Sequence, residues 1–231
     1  MVGLDGDDTL WHSEGHFHVT EQRFRELLAP FVDPEIAGAT LLETERRNLA
    51  LFGYGVKGFT LSMIESALAL TGHRIDGRHV EQIIGFGKEL LAHPVELLDG
   101  VRETLEVLAG RYRLVLVTKG DLFHQESKVA ASGLGELFEG VEVVAEKDTA
   151  TYARVLARHG VPPAAFCMIG NSLRSDIAPV VALGGCGLHV PYHVTWALEH
   201  AELDAHPRWR AAASIRQAPS LVAALGEALA A

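Results

Sequence analysis

Downstream of about residue 100, short apolar runs alternate with amphipathic stretches along the chain. Leu114-Val115-Leu116-Val117, Val141-Glu142-Val143-Val144, Phe166-Cys167-Met168-Ile169 and Gly187-Leu188-His189-Val190 are short and apolar, and each predicts a strand. Val101 to Leu108, Leu122 to Ala131, Thr149 to His159 and Ser172 to Leu183 place apolar residues at helical spacing. The segment from Pro219 to Ala230 predicts a closing helix with proline in its first turn. Val2 to Leu4 predicts a further short strand at the N-terminus. Regular strand–helix alternation implies right-handed crossovers, hence a parallel sheet covered on both faces.

The stretch from Gly15 to Val95 has a different rhythm. Phe24, Leu27, Leu28 and Phe31 fall at helical spacing, as do Leu61, Ile64 and Leu68, and Val80, Ile83, Ile84, Gly87 and Leu91. This predicts a bundle of about four helices, with Gly or Pro at the breaks. The expected architecture is a doubly wound α/β core (1–14 and 96–231) carrying an inserted helical cap (15–95).

Composition narrows the function classes. With 48% apolar and 22% charged residues, the 231-residue chain has the means to bury a sizeable core. A net charge of -10 opposes non-specific nucleic-acid binding and docking on anionic membranes. No apolar run reaches the roughly 18 residues of a membrane span, and the start lacks the pattern of a secretion signal. Cys167 and Cys186 lie in apolar contexts at no metal-ligand spacing, so buried thiols in a reducing cytoplasm are expected.

Open parallel sheets bind ligands beyond the carboxyl ends of their strands. There the sequence offers Asp5, Gly6 and Asp7 after the first strand, and Thr118, Lys119 and Gly120 after the second. Lys147 follows the third, and Gly170, Asn171, Ser172 and Asp176 follow the fourth. Gathered carboxylates resist joint ionisation unless a cation joins them. Magnesium, which takes oxygen ligands, water and phosphate, relieves that repulsion. A carboxylate beside it has the chemistry to attack phosphorus, and a second one to move protons.

The ordered set Asp5-Gly6-Asp7-Asp8-Thr9, Val117-Thr118-Lys119-Gly120, Lys147 and Gly170-Asn171-Ser172-x-x-x-Asp176 resembles the motifs of the haloacid-dehalogenase superfamily. The inserted helices resemble that family's first type of cap. The resemblance implies Asp5 as nucleophile and Asp7 as acid/base. It implies phosphate binding by Gly6, Thr118, Lys119, Gly120 and Lys147, and magnesium on Asp5, Asp7 (through its carbonyl), Asn171 and Asp176. It thus implies a phosphatase acting on a small-molecule phosphate ester. Dehalogenation is disfavoured, because the family's dehalogenases lack an aspartate at the Asp7 position. Asn171 departs from the family's usual aspartate and removes one negative charge. That makes a non-catalytic phosphate-binding module one alternative; a phosphotransferase or phosphomutase of the same fold, in which an alcohol rather than water accepts the phosphoryl group, is the other.

Several other features invite plainer explanations. Gly53-Tyr54-Gly55-Val56-Lys57-Gly58 matches G-x-G-x-x-G but follows a helical pattern, so a turn between helices is expected. His12, His16 and His18 match no zinc spacing and are expected at the surface or the substrate entrance. Arg46, Arg47 and Lys57 are expected on solvated faces, and Pro191 to Trp196 in a loop anchored by aromatic packing.

Overall fold

A computed structural model describes residues 1–230. Strands β1 (Val2–Leu4), β2 (Leu114–Lys119), β3 (Gly140–Val144), β4 (Cys167–Gly170), β5 (Cys186–His189) and β6 (Trp209–Ala211) form one sheet. Their order is β3-β2-β1-β4-β5-β6, and every neighbouring pair is parallel. The helices are α1 (Glu14–Leu28), α2 (Pro34–Phe52), α3 (Val56–Leu70), α4 (Gly77–Leu91), α5 (Val101–Ala109), α6 (Leu122–Ser132), α7 (Thr149–Arg158), α8 (Ala178–Ala182) and α9 (Ala218–Ala230). The doubly wound parallel architecture expected from the alternation is present.

The sheet separates two apolar layers because side chains alternate along a strand. Leu114 and Leu116 of β2 join Val101 and Leu105 of α5, Val129 of α6 and Val222 of α9. Val115 and Val117 face the other way, onto Tyr152 and Val155 of α7 and Val180 of α8. All four β2 residues are at most 1% exposed, so truncating either leucine to alanine is expected to cost about 2–5 kcal/mol. Cys167 and Cys186 pair in register between β4 and β5 and are buried free thiols. Among the described residues, no helix is long and apolar enough to cross a membrane.

Chain order and sheet order part at β1. Strands β2 and β3 lie to one side of it, β4 to β6 to the other. Such a switch point leaves a crevice at the carboxyl ends of the two central strands.

Two elements differ from the sequence expectation. Strand β6 was not anticipated: it has three residues, follows Pro207 and shows no alternation of buried and exposed positions. The single helix expected over Ser172 to Leu183 is instead a π-helical turn, Leu173–Ile177, followed by α8. Pro179 explains the break, since it has no N–H to give to the Ser175 carbonyl. That carbonyl accepts the Tyr152 hydroxyl instead, at 3.1 Å.

The chain divides into two compact units. Met1–Glu14, Val95–Lys119 and Gln125–Ala231 form one; Gly15–Pro94 with Gly120–His124 form the other. Within the second, Phe24, Leu28, Leu41, Phe59, Met63 and Ile83 make a core of their own. Asp33 and Asp76 cap α2 and α4 by accepting backbone N–H groups of the first turn. Phe31 lies beyond the end of α1 at Leu28 and is 45% exposed, with its ring edge-on to His79. Gly53 and Gly55, both at positive φ, form the turn between α2 and α3. Arg46 and Arg47 pair with Glu43 and Glu65 on the unit's surface.

Candidate active site

The carboxyl ends of β1 and β4 meet at the switch point, and the side chains that follow them converge. Asp5 leaves β1 with its amide donating to the Ile169 carbonyl of β4 at 2.9 Å. Lys147 sits between β3 and α7, held there as Asp148 caps α7 through the Thr151 amide at 2.7 Å. Its ammonium donates to Asp5 Oδ1 at 2.5 Å and to Asp176 Oδ1 at 2.7 Å. All three side chains are at most 10% exposed. Thr9 Oγ1 stands 3.3 Å from both Asp5 Oδ2 and Asn171 Oδ1, and accepts the Asn171 amide at 3.0 Å.

Gly170 makes room for this arrangement. A Cβ there would lie 2.2 Å from Asp176 Oδ2, so any side chain at this strand end would displace the carboxylate. Asp176 Oδ2 accepts the Ser172 amide at 3.0 Å, which closes the turn after β4.

Electrostatics at this rim are unbalanced. Two buried carboxylates, Asp5 and Asp176, share one ammonium. Burial raises the Asp5 carboxyl to about 7, and the charge of Asp176 adds to the rise against the pull of Lys147. Burial alone would lower the Lys147 ammonium, but Asp176 and Asp5 outweigh it and hold its proton firmly. The rim therefore has oxygen donors and an excess of negative charge.

Those properties fit a hard divalent cation. Among the described residues no three His, Cys, Asp or Glu side chains are grouped to hold a metal by themselves. Magnesium does not require that, because it is commonly held by one or two carboxylates with waters and phosphate. Asp5, Asp176 and the neutral Asn171 oxygen supply such a set.

Asp7 occupies a separate niche two residues along. The turn places Asp8 at φ 63, a left-handed conformation that aspartate tolerates, and Asp8 Oδ1 accepts the Ser13 and Glu14 amides. Asp7 Oδ1 accepts from Trp11 Nε1 at 2.6 Å and from Lys128 Nζ at 2.5 Å, and Oδ2 accepts from Gln125 Nε2 at 2.9 Å. Burial would raise this carboxyl, but Lys128, Gln125 and Trp11 together hold it below its ordinary value.

The other expected site residues are placed unequally. Thr118 is 1% exposed, and its hydroxyl would stand 3.4 Å from a Cβ built on Gly6, so these two share the rim. The Lys119 ammonium points elsewhere, to Glu199 Oε1 at 2.5 Å, Ser175 Oγ at 3.0 Å and Glu146 Oε1 at 3.4 Å. Gly120 falls in the helical unit with residues 121–124. His12 Nδ1 lies 2.7 Å from the Tyr192 hydroxyl, while the His16 ring stacks on His93.

Sequence reasoning missed Trp11, Gln125, Lys128 and Glu199. Gln125 and Lys128 had one readable signal: three residues apart on a predicted helix, they share a face. Trp11 had no signal of its own in the sequence. Glu199 had no signal, since it reaches the turn after β4 from a short 3₁₀ turn (Ala197–Glu199) in an irregular segment.

Comparison with known proteins bears on this geometry. A family model for haloacid dehalogenase-like hydrolases matches residues 2–184. A haloacid dehalogenase-like family hydrolase from Xanthomonas campestris is 47% identical, with a TM-score of 0.91, over 99% of this chain and 92% of that one. A predicted phosphoglycolate phosphatase from Haemophilus somnus is 18% identical, with a TM-score of 0.63, over 96% of this chain and 97% of that one. A 2-haloacid dehalogenase from Pseudomonas syringae is 22% identical, with a TM-score of 0.64, over 96% of this chain and 97% of that one. These last two share the fold, and their activities differ from each other. No match was found among curated proteins. With the ordered motifs converging on one sheet edge, and a family model spanning most of the sequence, the chain belongs to the haloacid dehalogenase-like hydrolases.

Proposed function

We propose that this hydrolase is a magnesium-dependent phosphomonoesterase working through an aspartyl-phosphate on Asp5. The observation that carries this reading is the Lys147 ammonium bridging Asp5 and Asp176, beside Asn171. Such a rim suits an anion that needs its charge neutralised from several sides.

Asp5, Asp176, Asn171 and the Asp7 carbonyl are the groups proposed to hold magnesium. When bound, the ion supplies positive charge that keeps Asp5 ionised and offsets the charge of the phosphoryl oxygens. An Asp5 carboxylate oxygen forms a bond to phosphorus while the bond from phosphorus to the ester oxygen breaks. Asp7, in its protonated form, gives its proton to the departing oxygen. In the second half, water attacks the phosphorus, the Asp7 carboxylate takes a proton from it, and the phosphorus bond to Asp5 breaks. Lys147 balances charge on Asp5 and the phosphoryl group throughout, and Thr118 hydrogen-bonds the phosphoryl oxygens. The helical unit is proposed to act as a cap that selects the ester and excludes bulk water.

Asp7 also separates this reading from dehalogenation, since releasing a halide needs no proton donor. A substitution at Asp5 tests the nucleophile. Asp5→Asn should lower magnesium-dependent hydrolysis of an aryl phosphate by about 10⁴-fold or more with the fold intact. Wild-type turnover in that variant would remove Asp5 from the role.

Asn171 favours one second reading, a module that binds phosphate without turning it over. Phosphate binding by calorimetry, together with no hydrolysis across a broad panel of phosphate esters, is the outcome that would select it.

A further inference from the structure

The turn after β4 is tied to a carboxylate from the segment that joins β5 to β6. Glu199 ends the 3₁₀ turn Ala197–Glu199, and its side chain is 16% exposed. Arg174 Nη1 anchors this turn by donating to the Leu198 carbonyl at 2.6 Å. Glu199 Oε2 accepts both the Ser172 and the Ser175 hydroxyls at 2.6 Å, while Oε1 accepts Lys119 at 2.5 Å.

A hydroxyl has one proton to donate, and each serine commits it to Glu199. The Ser172 oxygen is thereby left with its lone pairs facing the Ser175 amide, which donates to it at 3.0 Å. That contact fixes the turn so that the Ser172 amide meets Asp176 Oδ2. Asp176 Oδ1 is then left facing the rim, toward Lys147. Burial alone would raise the Glu199 carboxyl, but Lys119 and the two serines outweigh it and keep it ionised.

We infer that Glu199 is a positioning residue for magnesium, acting through Ser172 to aim Asp176 at the ion. This rests on the magnesium reading above. It has particular weight in this chain, because a neutral oxygen at position 171 attracts the ion less than a carboxylate does. Affinity must then come from how well the remaining donors are preorganised. Outer-layer partners of metal ligands are worth about 10–100-fold in affinity when removed.

The test is calorimetric titration of MgCl₂ into the full-length wild type, Glu199→Ala, Glu199→Gln, Ser172→Ala and the Ser172→Ala/Glu199→Ala double variant, with metal-free melting curves alongside. Glu199→Ala should weaken magnesium binding about tenfold or more. Glu199→Gln should fall between it and wild type, because its carbonyl oxygen still accepts a serine hydroxyl. The double variant should lose no more than the larger single loss, since both act along one route. Wild-type magnesium affinity in both Glu199 variants would overturn the inference, as would fully additive losses in the double variant. Should Glu199→Ala not fold, Glu199→Gln and Ser172→Ala carry the test by the same criteria. A wild type that binds no magnesium is a different result, and it would overturn the metal reading itself.

Discussion

The Lys128 ammonium donates to Asp7 Oδ1 at 2.5 Å, so the residue proposed to move the proton is itself held by a cation. Held below its ordinary value by that cation, the Asp7 carboxyl favours the form that accepts a proton, suited to the water-activating half of the reaction. The first half requires it protonated, so substrates with poor leaving groups should be limited by that fraction.

Replacing Lys128 by Met removes the charge that favours the ionised carboxyl. Asp7 should then keep its proton to higher pH, since burial, which raises its pKa, is less opposed. The alkaline limb of kcat/KM for an alkyl phosphate should move upward by about 1–3 pH units. An aryl phosphate, whose leaving group needs little protonation, should show a much smaller change. Identical pH profiles for wild type and variant on the alkyl ester would separate Asp7 from proton transfer.

Gly170→Ala probes the strand end on which Asp176 rests. The added methyl would sit 2.2 Å from the carboxylate, a distance that only movement relieves. We expect a loss of about 1–3 kcal/mol in stability and weaker magnesium binding. Denaturant melts and calorimetry would read these separately, and unchanged values in both would show that the turn is softer than its contacts suggest.

Asn171→Asp adds a third carboxylate to the donors at the rim. Ligand charge tunes the affinity of oxygen sites for divalent cations, so magnesium should bind about tenfold more tightly. Without magnesium the same variant should be less stable than wild type, because a further negative charge, on a half-buried side chain, joins the buried Asp5 and Asp176. Equal metal-free melting temperatures would argue against crowded charge at this rim.

In the helical unit, Glu45 is raised to about 8 by burial, with Glu21 adding to the effect. The folded state thus holds this proton more tightly than the unfolded chain, whose value is 4.5. Stability from this group is complete below pH 4.5 and is lost as the pH rises through about 8. Glu45→Gln should therefore stabilise the protein at pH 9 and not at pH 4. Discounted for the partial exposure of the side chain, the gain is on the order of 1–2 kcal/mol. Equal effects at the two pH values would rule out titration as the cause.

The sheet was legible because most of its strands are apolar runs too short for a buried helix, set between amphipathic helices. Asp5, Lys147 and Asp176 were legible for a related reason: each follows a strand, and a parallel sheet brings its strand ends together. Lys119 was not. Its position on β2 could be read, but its direction depends on Glu199, eighty residues away on an irregular segment. Strand β6 was hidden likewise, since a three-residue edge strand owes its form to its neighbour more than to its own pattern. The split of Ser172 to Leu183 was readable in part from Pro179, which marks a break without saying what shape precedes it.

That break limits how the protein can be improved. Pro179 looks like an obvious target for anyone hardening the fold, since alanine there would favour a continuous regular helix. Yet the widened coil before it delivers Asp176 to its place, and a regular helix would carry that aspartate round to another bearing. Rigidity gained at position 179 would come at the expense of the reaction centre, so stabilising changes belong on the far layers of the sheet.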